Sequence, residues 1–267
     1  MSLLLESLLR RDRNIVAGSL VLVALACWAF LLTGAGMGMS GLEMTRHSLM
    51  KMDGMMSASW DAPYISLMFF MWWIMMIAMM LPSASPVILL ANALNRRAEP
   101  GKQPFGSTGS FVLGYLLAWA LFSAFAVGLQ WLLADASLIS GMLKSRSHLL
   151  SAALLIVAGG WQFSPWKYAC LRHCRGPVEY LTANKRKGNA GALLMGMTHG
   201  AYCLGCCWFL MILLFVGGVM NLIWIAGLAI YVWVEKVLPS GELVSRIMGG
   251  LLIAWGIGIL MSPYLAM

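Results

Sequence analysis

The sequence predicts an all-α protein, a polytopic bundle of about seven membrane-spanning helices in one domain over residues 1–267. Three observations predict it. The chain is 61% hydrophobic and only 10% charged, with a mean hydropathy of +0.81, whereas a soluble domain is about half apolar and a quarter charged. Its apolar runs are continuous rather than alternating, which excludes an outer-membrane barrel and leaves helices as the spanning element. Its basic residues fall on one side of those runs.

A span needs about 20 mostly apolar residues, and the stretches 15–36, 64–90, 109–134, 148–166, 191–216, 219–237 and 247–264 qualify. The first follows Arg10, Arg11 and Arg13 as a signal peptide would. It outruns the roughly 7–15 residues of a signal h-region and reads as an anchor. In the second, Pro82 and Pro86 each remove a backbone donor, so a kink or unwinding is expected there. Only Gly217 and Gly218 separate the fifth stretch from the sixth, which suggests a tight hairpin.

With the N-terminus inside and the C-terminus outside, only Arg46, Lys51, Lys144 and Arg146 of the 18 Lys and Arg face outward, a positive-inside asymmetry. The Met-rich loop 37–63 then faces the periplasm of a Gram-negative host. The Cys-containing loop 167–190 faces the cytoplasm, and the expected location is the bacterial inner membrane. The net charge of +8 reports this topology and requires no nucleic-acid partner.

Sulfur is the second theme, with 22 methionines and six cysteines. The outer loop "GMGMSGLEMTRHSLMKMDGMM" gathers Met37, Met39, Met44, Met50, Met52, Met55 and Met56 around His47 and Asp53. Thioethers are soft, uncharged ligands that favour Cu(I); equally, the loop could lie on the membrane with Met as adaptable filler. In "SLMFFMWWIMMIAMMLPSASP", Met68, Met71, Met75 and Met79 follow at intervals of three and four, along one helical face. Such a row can pass a soft ion or simply pack.

The cysteines form two groups, apart from Cys27, which reads as packing. "WKYACLRHCRGP" spaces Cys170 and Cys174 by four, beside His173, on a reducing side where thiols are the expected state. Two thiolates suffice for linear Cu(I), whereas structural zinc takes four ligands. "THGAYCLGCCWFLM" puts His199, Cys203, Cys206 and Cys207 on one helical face. Ionisable groups at that depth mark functional sites, although buried cysteines are often inert and a histidine can merely bond a carbonyl. Glu235 beside Lys236 reads as a local ion pair, and Asn221 as a helix cap or an interhelical hydrogen bond.

"MMIAMMLPS", "WKYACLRHC", "THGAYCLGCCW", "VMNLIW" and "EKVLPSG" resemble a family of bacterial integral membrane proteins predicted to bind metal, the domain of unknown function 2182. The likeness runs over residues 64–245. It implies a polytopic helical protein with His199, Cys203, Cys206, Cys207, Cys170 and Cys174 as its metal-binding residues.

Three functions follow. In the first, Cu(I) is captured by His47 and the outer methionines and relayed by Met71, Met75 and Met79. His199, Cys203, Cys206 and Cys207 hold it, and Cys170 and Cys174 receive or supply it. The partners are then the lipid bilayer, the copper ion, a periplasmic copper chaperone or a membrane cuproenzyme, and a second copy in a homo-oligomer. In the second, the thiols serve a membrane thiol–disulfide or quinone oxidoreductase, which leaves the methionines unexplained. In the third, the chain is an accessory subunit that packs beside a larger complex. There is no nucleotide-binding glycine loop and no Ser/His/Asp order, so no catalytic residue is assigned.

Overall fold

The computed structural model describes residues 2–50, 60–97, 106–140, 143–183 and 186–265. Met52, Asp53, Met55 and Met56 of the outer loop lie outside them. The described chain is helical throughout, with a single isolated β-bridge between Ile139 and Ser145. In order, the helices are α1 (Ser2–Leu32), α2 (Gly41–Leu49), α3 (Ala62–Arg97), α4 (Thr108–Asp135), α5 (His148–Trp161), α6 (Pro165–Arg175), α7 (Pro177–Ala183), α8 (Gly188–Ile212), α9 (Leu214–Gly217), α10 (Leu222–Val237) and α11 (Gly241–Leu265).

Each of the seven apolar stretches is helical, but length separates them. Five segments are long and apolar enough to cross a membrane, in α1, α3, α4, α8 with α9, and α11. A sixth is reached if α5 and α6, bent by 64° to each other, form one broken span. At 16 residues, α10 is about 24 Å long, short of a hydrocarbon core of about 30 Å. The expected seven is therefore not reached by length alone.

Helices α3 and α8 form the core, and α1 is peripheral: 61% and 56% of the apolar windows of α3 and α8 are buried, against 6% for α1. Helix α8 packs on α4 and α6, α5 on α11, and α3 on α1, α4 and α10. Two interfaces depend on absent side chains. A Cβ at Gly114 or Gly196 would run into the facing backbone of α8 or α4, and one at Gly159 would lie 2.8 Å from the Gly249 carbonyl oxygen. Such small-residue contacts let apolar helices meet closely without a hydrophobic driving force.

Helix α3 runs unbroken through Pro82 and Pro86, where unwinding was expected. Pro86 cannot donate to the Pro82 carbonyl four residues back, and the Ser85 hydroxyl donates to it instead at 2.8 Å. Local replacement of this kind lets an apolar helix keep a proline. The α5–α6 break has the opposite outcome. Ser164 caps the new helix by accepting from Trp166 N, with Pro165 in its first turn, a position that suits a residue lacking an N–H.

The link from α8 and α9 to α10 is as short as expected, a turn from Gly218, whose φ is +95°, to Asn221, but it does not pair the helices as a hairpin. It leads α10 away to α3, so α8 and α10 meet only slightly. Asn221 is the N-cap of α10, accepting from Ile223 N and Trp224 N. The segment read as a cytoplasmic loop is largely helix, and α6 lies against α8.

Candidate metal centre

The two cysteine groups meet. Cys203, Cys206 and Cys207 are buried on α8, and Cys170 and Cys174 are half-buried on α6. Cys174 of α6 faces Cys203 and Cys206 of α8, close enough for the three thiols to interact. A Cβ added at Gly205 would sit 2.7 Å from Cys170 Sγ, so this glycine admits the thiol to the face of α8. The thiols of Cys206 and Cys207 donate to the Cys203 carbonyl, each at 3.0 Å. All six cysteines are free.

Two polar side chains converge on Cys203. Lys236 of α10, almost wholly buried, donates from Nζ to Cys203 Sγ and to Ser83 Oγ, both at 3.0 Å. The Tyr115 hydroxyl lies 3.2 Å from the same sulfur and 3.2 Å from the Met80 carbonyl oxygen. Burying an ammonium is costly unless it is paired and hydrogen-bonded, so Lys236 belongs to the sulfur cluster. It does not pair with Glu235, contrary to the reading of a local ion pair. Adjacent helical residues do not face each other; Glu235 instead pairs with Lys167 of α6, and both are fully buried.

One turn before Cys203, His199 is 2% exposed. Its ring lies among Phe111, Tyr115 and Tyr180, with centroids 6.0, 5.8 and 5.0 Å away. Its Nδ1 has no hydrogen-bond partner. A buried polar atom without a partner costs about 1–3 kcal/mol and calls for an explanation. His173, beside Cys174, instead stacks on Tyr202 at 4.2 Å and bonds the Ala169 carbonyl oxygen at 2.8 Å. Among the described residues, no group of three or more His, Cys, Asp and Glu side chains is arranged to hold a metal ion.

Met71, Met75 and Met79 are buried in the core on α3. Just beyond that row, the Met80 carbonyl accepts from the Tyr115 hydroxyl and Ser83 Oγ from Lys236 Nζ, the two side chains that also reach Cys203. His47 stays away. It sits on α2, which docks at the opposite end of α10 through Leu222 N to Thr45 Oγ1 (2.9 Å) and Ser48 Oγ to the Gly217 carbonyl oxygen (3.2 Å). From Leu222 to Lys236, α10 rises about 21 Å.

Sequence reading missed Tyr115, Tyr180 and the role of Lys236. A lysine in an apolar helix was a usable signal, but aromatics in a membrane-type chain are too common to single out.

The described residues thus form a helical bundle in which free thiols of two helices meet one turn from a buried imidazole. The chain matches the PpoB2 family, described as a copper chaperone, over residues 69–259. It belongs to that family, and its function is copper-related. No curated protein and no solved structure matches it.

Proposed function

We propose that the chain is an integral membrane protein that binds Cu(I) between α6 and α8 and hands it on. The observation that carries this reading is the convergence of Cys174 with Cys203 and Cys206 beside an unpartnered buried imidazole. Packing accounts for a lone buried cysteine, but it does not account for His199 Nδ1. Soft thiolates select Cu(I), and two sulfurs are enough for it.

In this reading Cys174, Cys203 and Cys206 supply the primary sulfurs, with Cys170, Cys207 and His199 in reach as exchange ligands. An ion taking Cys203 displaces the Lys236 ammonium, which its flexible stem allows. Met71, Met75 and Met79 connect the centre along α3 to the end of the bundle where α2 carries His47. The recipient or donor there is a periplasmic copper chaperone or a membrane cuproenzyme. The apolar lengths of the five long helices support placement in the bacterial inner membrane.

The same sulfur contacts favour one other reading, a thiol–disulfide oxidoreductase, because neighbouring thiols can form a disulfide. Metal content of the full chain, purified anaerobically under reducing conditions and loaded with Cu(I), separates the two. The expected result is about one copper per chain, lost in Cys203→Ser/Cys206→Ser and in Cys174→Ser. Thiols that cycle to a disulfide without retaining copper would establish the oxidoreductase instead. Copper and thiol behaviour unaffected by the substitutions would leave only a packing role.

A further inference from the structure

A buried cation shares the surroundings of the proposed copper site. Lys236 is 8% exposed, and its Nζ donates to Cys203 Sγ and Ser83 Oγ, each at 3.0 Å. The Ser83 hydroxyl proton already goes to the Met80 carbonyl oxygen at 2.8 Å, so its oxygen is left to accept from Lys236. Serine and cysteine thus hold the ammonium from two helices, α3 and α8. Among the described residues no carboxylate pairs with it; the adjacent Glu235 is taken by Lys167. The ionisable groups whose charges act on it are Cys203, Cys206, Cys174 and Tyr115. A buried ammonium without a negative partner is costly, and the nearest source of negative charge here is the sulfur group.

We propose that Lys236 is the counter-ion of the copper–thiolate complex and that Ser83 holds it in that place. This role rests on the copper reading above. Two thiolates around Cu(I) carry one net negative charge. In a dry interior such a charge interacts strongly with its surroundings and needs a partner, and the ammonium supplies it. The chain carries the neutralising charge with it, so Cu(I) can enter an apolar bundle without a second ion. When copper takes the Cys203 sulfur, the ammonium gives up that contact and keeps Ser83 on α3. It then stays beside the complex rather than withdrawing. The four-carbon stem of lysine allows the shift. The same contact explains why the empty site tolerates a buried lysine, because Cys203 then faces the ammonium directly.

The test is Cu(I) binding by the full chain in detergent, under anaerobic conditions, in competition with a colorimetric Cu(I) chelator. Lys236→Met and Lys236→Gln remove the charge, and the second keeps a hydrogen-bond donor. Both should weaken Cu(I) retention about tenfold or more. Lys236→Arg keeps the charge and should stay within about threefold of wild type. Ser83→Ala should weaken retention about fivefold, the effect of one hydrogen bond. The unfolding temperature without metal should not fall in Lys236→Met, because an apolar side chain replaces a buried ion, so a loss of copper there is not a loss of fold. Wild-type retention in Lys236→Gln would overturn the counter-ion role and leave only a hydrogen bond. Equal losses in Lys236→Gln and Lys236→Arg would overturn it too, since geometry rather than charge would then decide. A wild-type chain that retains no Cu(I) would instead refute the copper reading, and the role of Lys236 with it.

Discussion

Helices α3 and α8 are both long, both buried and both rich in sulfur, yet their sulfurs lie in different surroundings. The Met71, Met75 and Met79 row of α3 is fully within the apolar core. Thioethers there fill space as any flexible apolar side chain does. The Cys203, Cys206 and Cys207 face of α8 meets Lys236, Tyr115 and Cys174, and it starts at an imidazole nitrogen with no partner. Hydrophobic packing alone would favour Leu and Val at such positions. The proposed copper site rests on these polar groups gathered in a dry interior, one of them unsatisfied; a row of buried methionines by itself supports no such proposal.

That contrast can be broken or sharpened by substitution. The largest stability effect should come from the anchor that holds α6 against the bundle. Removing one partner of the buried Lys167–Glu235 pair, in Lys167→Met or Glu235→Ala, should cost about 3–5 kcal/mol. The measurement is thermal unfolding in detergent. The double variant Lys167→Met/Glu235→Leu should recover most of the loss, because no uncompensated charge stays buried. The second effect is on binding alone. Cys203→Ser/Cys206→Ser should abolish copper retention, while Met71→Leu/Met75→Leu/Met79→Leu should keep it and slow only the transfer to an acceptor. Equal losses from both sets would erase the distinction between the two helices.

A smaller effect is expected where α6 approaches α8. Gly205→Val should push Cys170 away and destabilise by about 1–3 kcal/mol through overpacking, with weaker copper retention. Gly250→Val on α11, where a Cβ meets nothing within 4 Å, should be silent in both measurements.

The smallest effect concerns α2, outside both sulfur regions. Its capping box has Glu43 accepting from Ser40 N at 2.9 Å and from Ser40 Oγ at 2.8 Å. The Ser40 backbone N–H and then its hydroxyl hold the Glu43 carboxyl below its usual pKa. A carboxyl lowered in the folded state stabilises above its unfolded pKa of about 4.3, and the contribution disappears as pH falls through the folded value. The melting difference between wild type and Glu43→Gln should therefore be present at neutral pH and vanish in acid.

Much of this was legible in the sequence, for reasons tied to particular residues. The continuous apolar runs dictate helices wherever they occur, since an unpaired backbone cannot be buried. The spacing of His199, Cys203, Cys206 and Cys207 puts them on one face of any helix that contains them. Glu43 after Ser40, and Asn221 before an apolar run, are start signals that act within a single turn. Gly217 and Gly218 were legible as a break but not as a route, because the course of the chain after a glycine depends on what it packs against.

What only the tertiary structure decided is which elements face one another. Whether α6 turns back by 64° to lay Cys174 on Cys203, whether Lys236 points at a sulfur or at its neighbour Glu235, and whether Ser85 rescues the helix at Pro86 all depend on atoms distant in the chain or on local geometry that composition does not encode. Local pattern fixes the face that a residue occupies because helical geometry repeats every 3.6 residues. It carries no information about the partner opposite, because apolar helices of similar length can pair in many ways. Here close glycine contacts and two buried lysines select among those pairings.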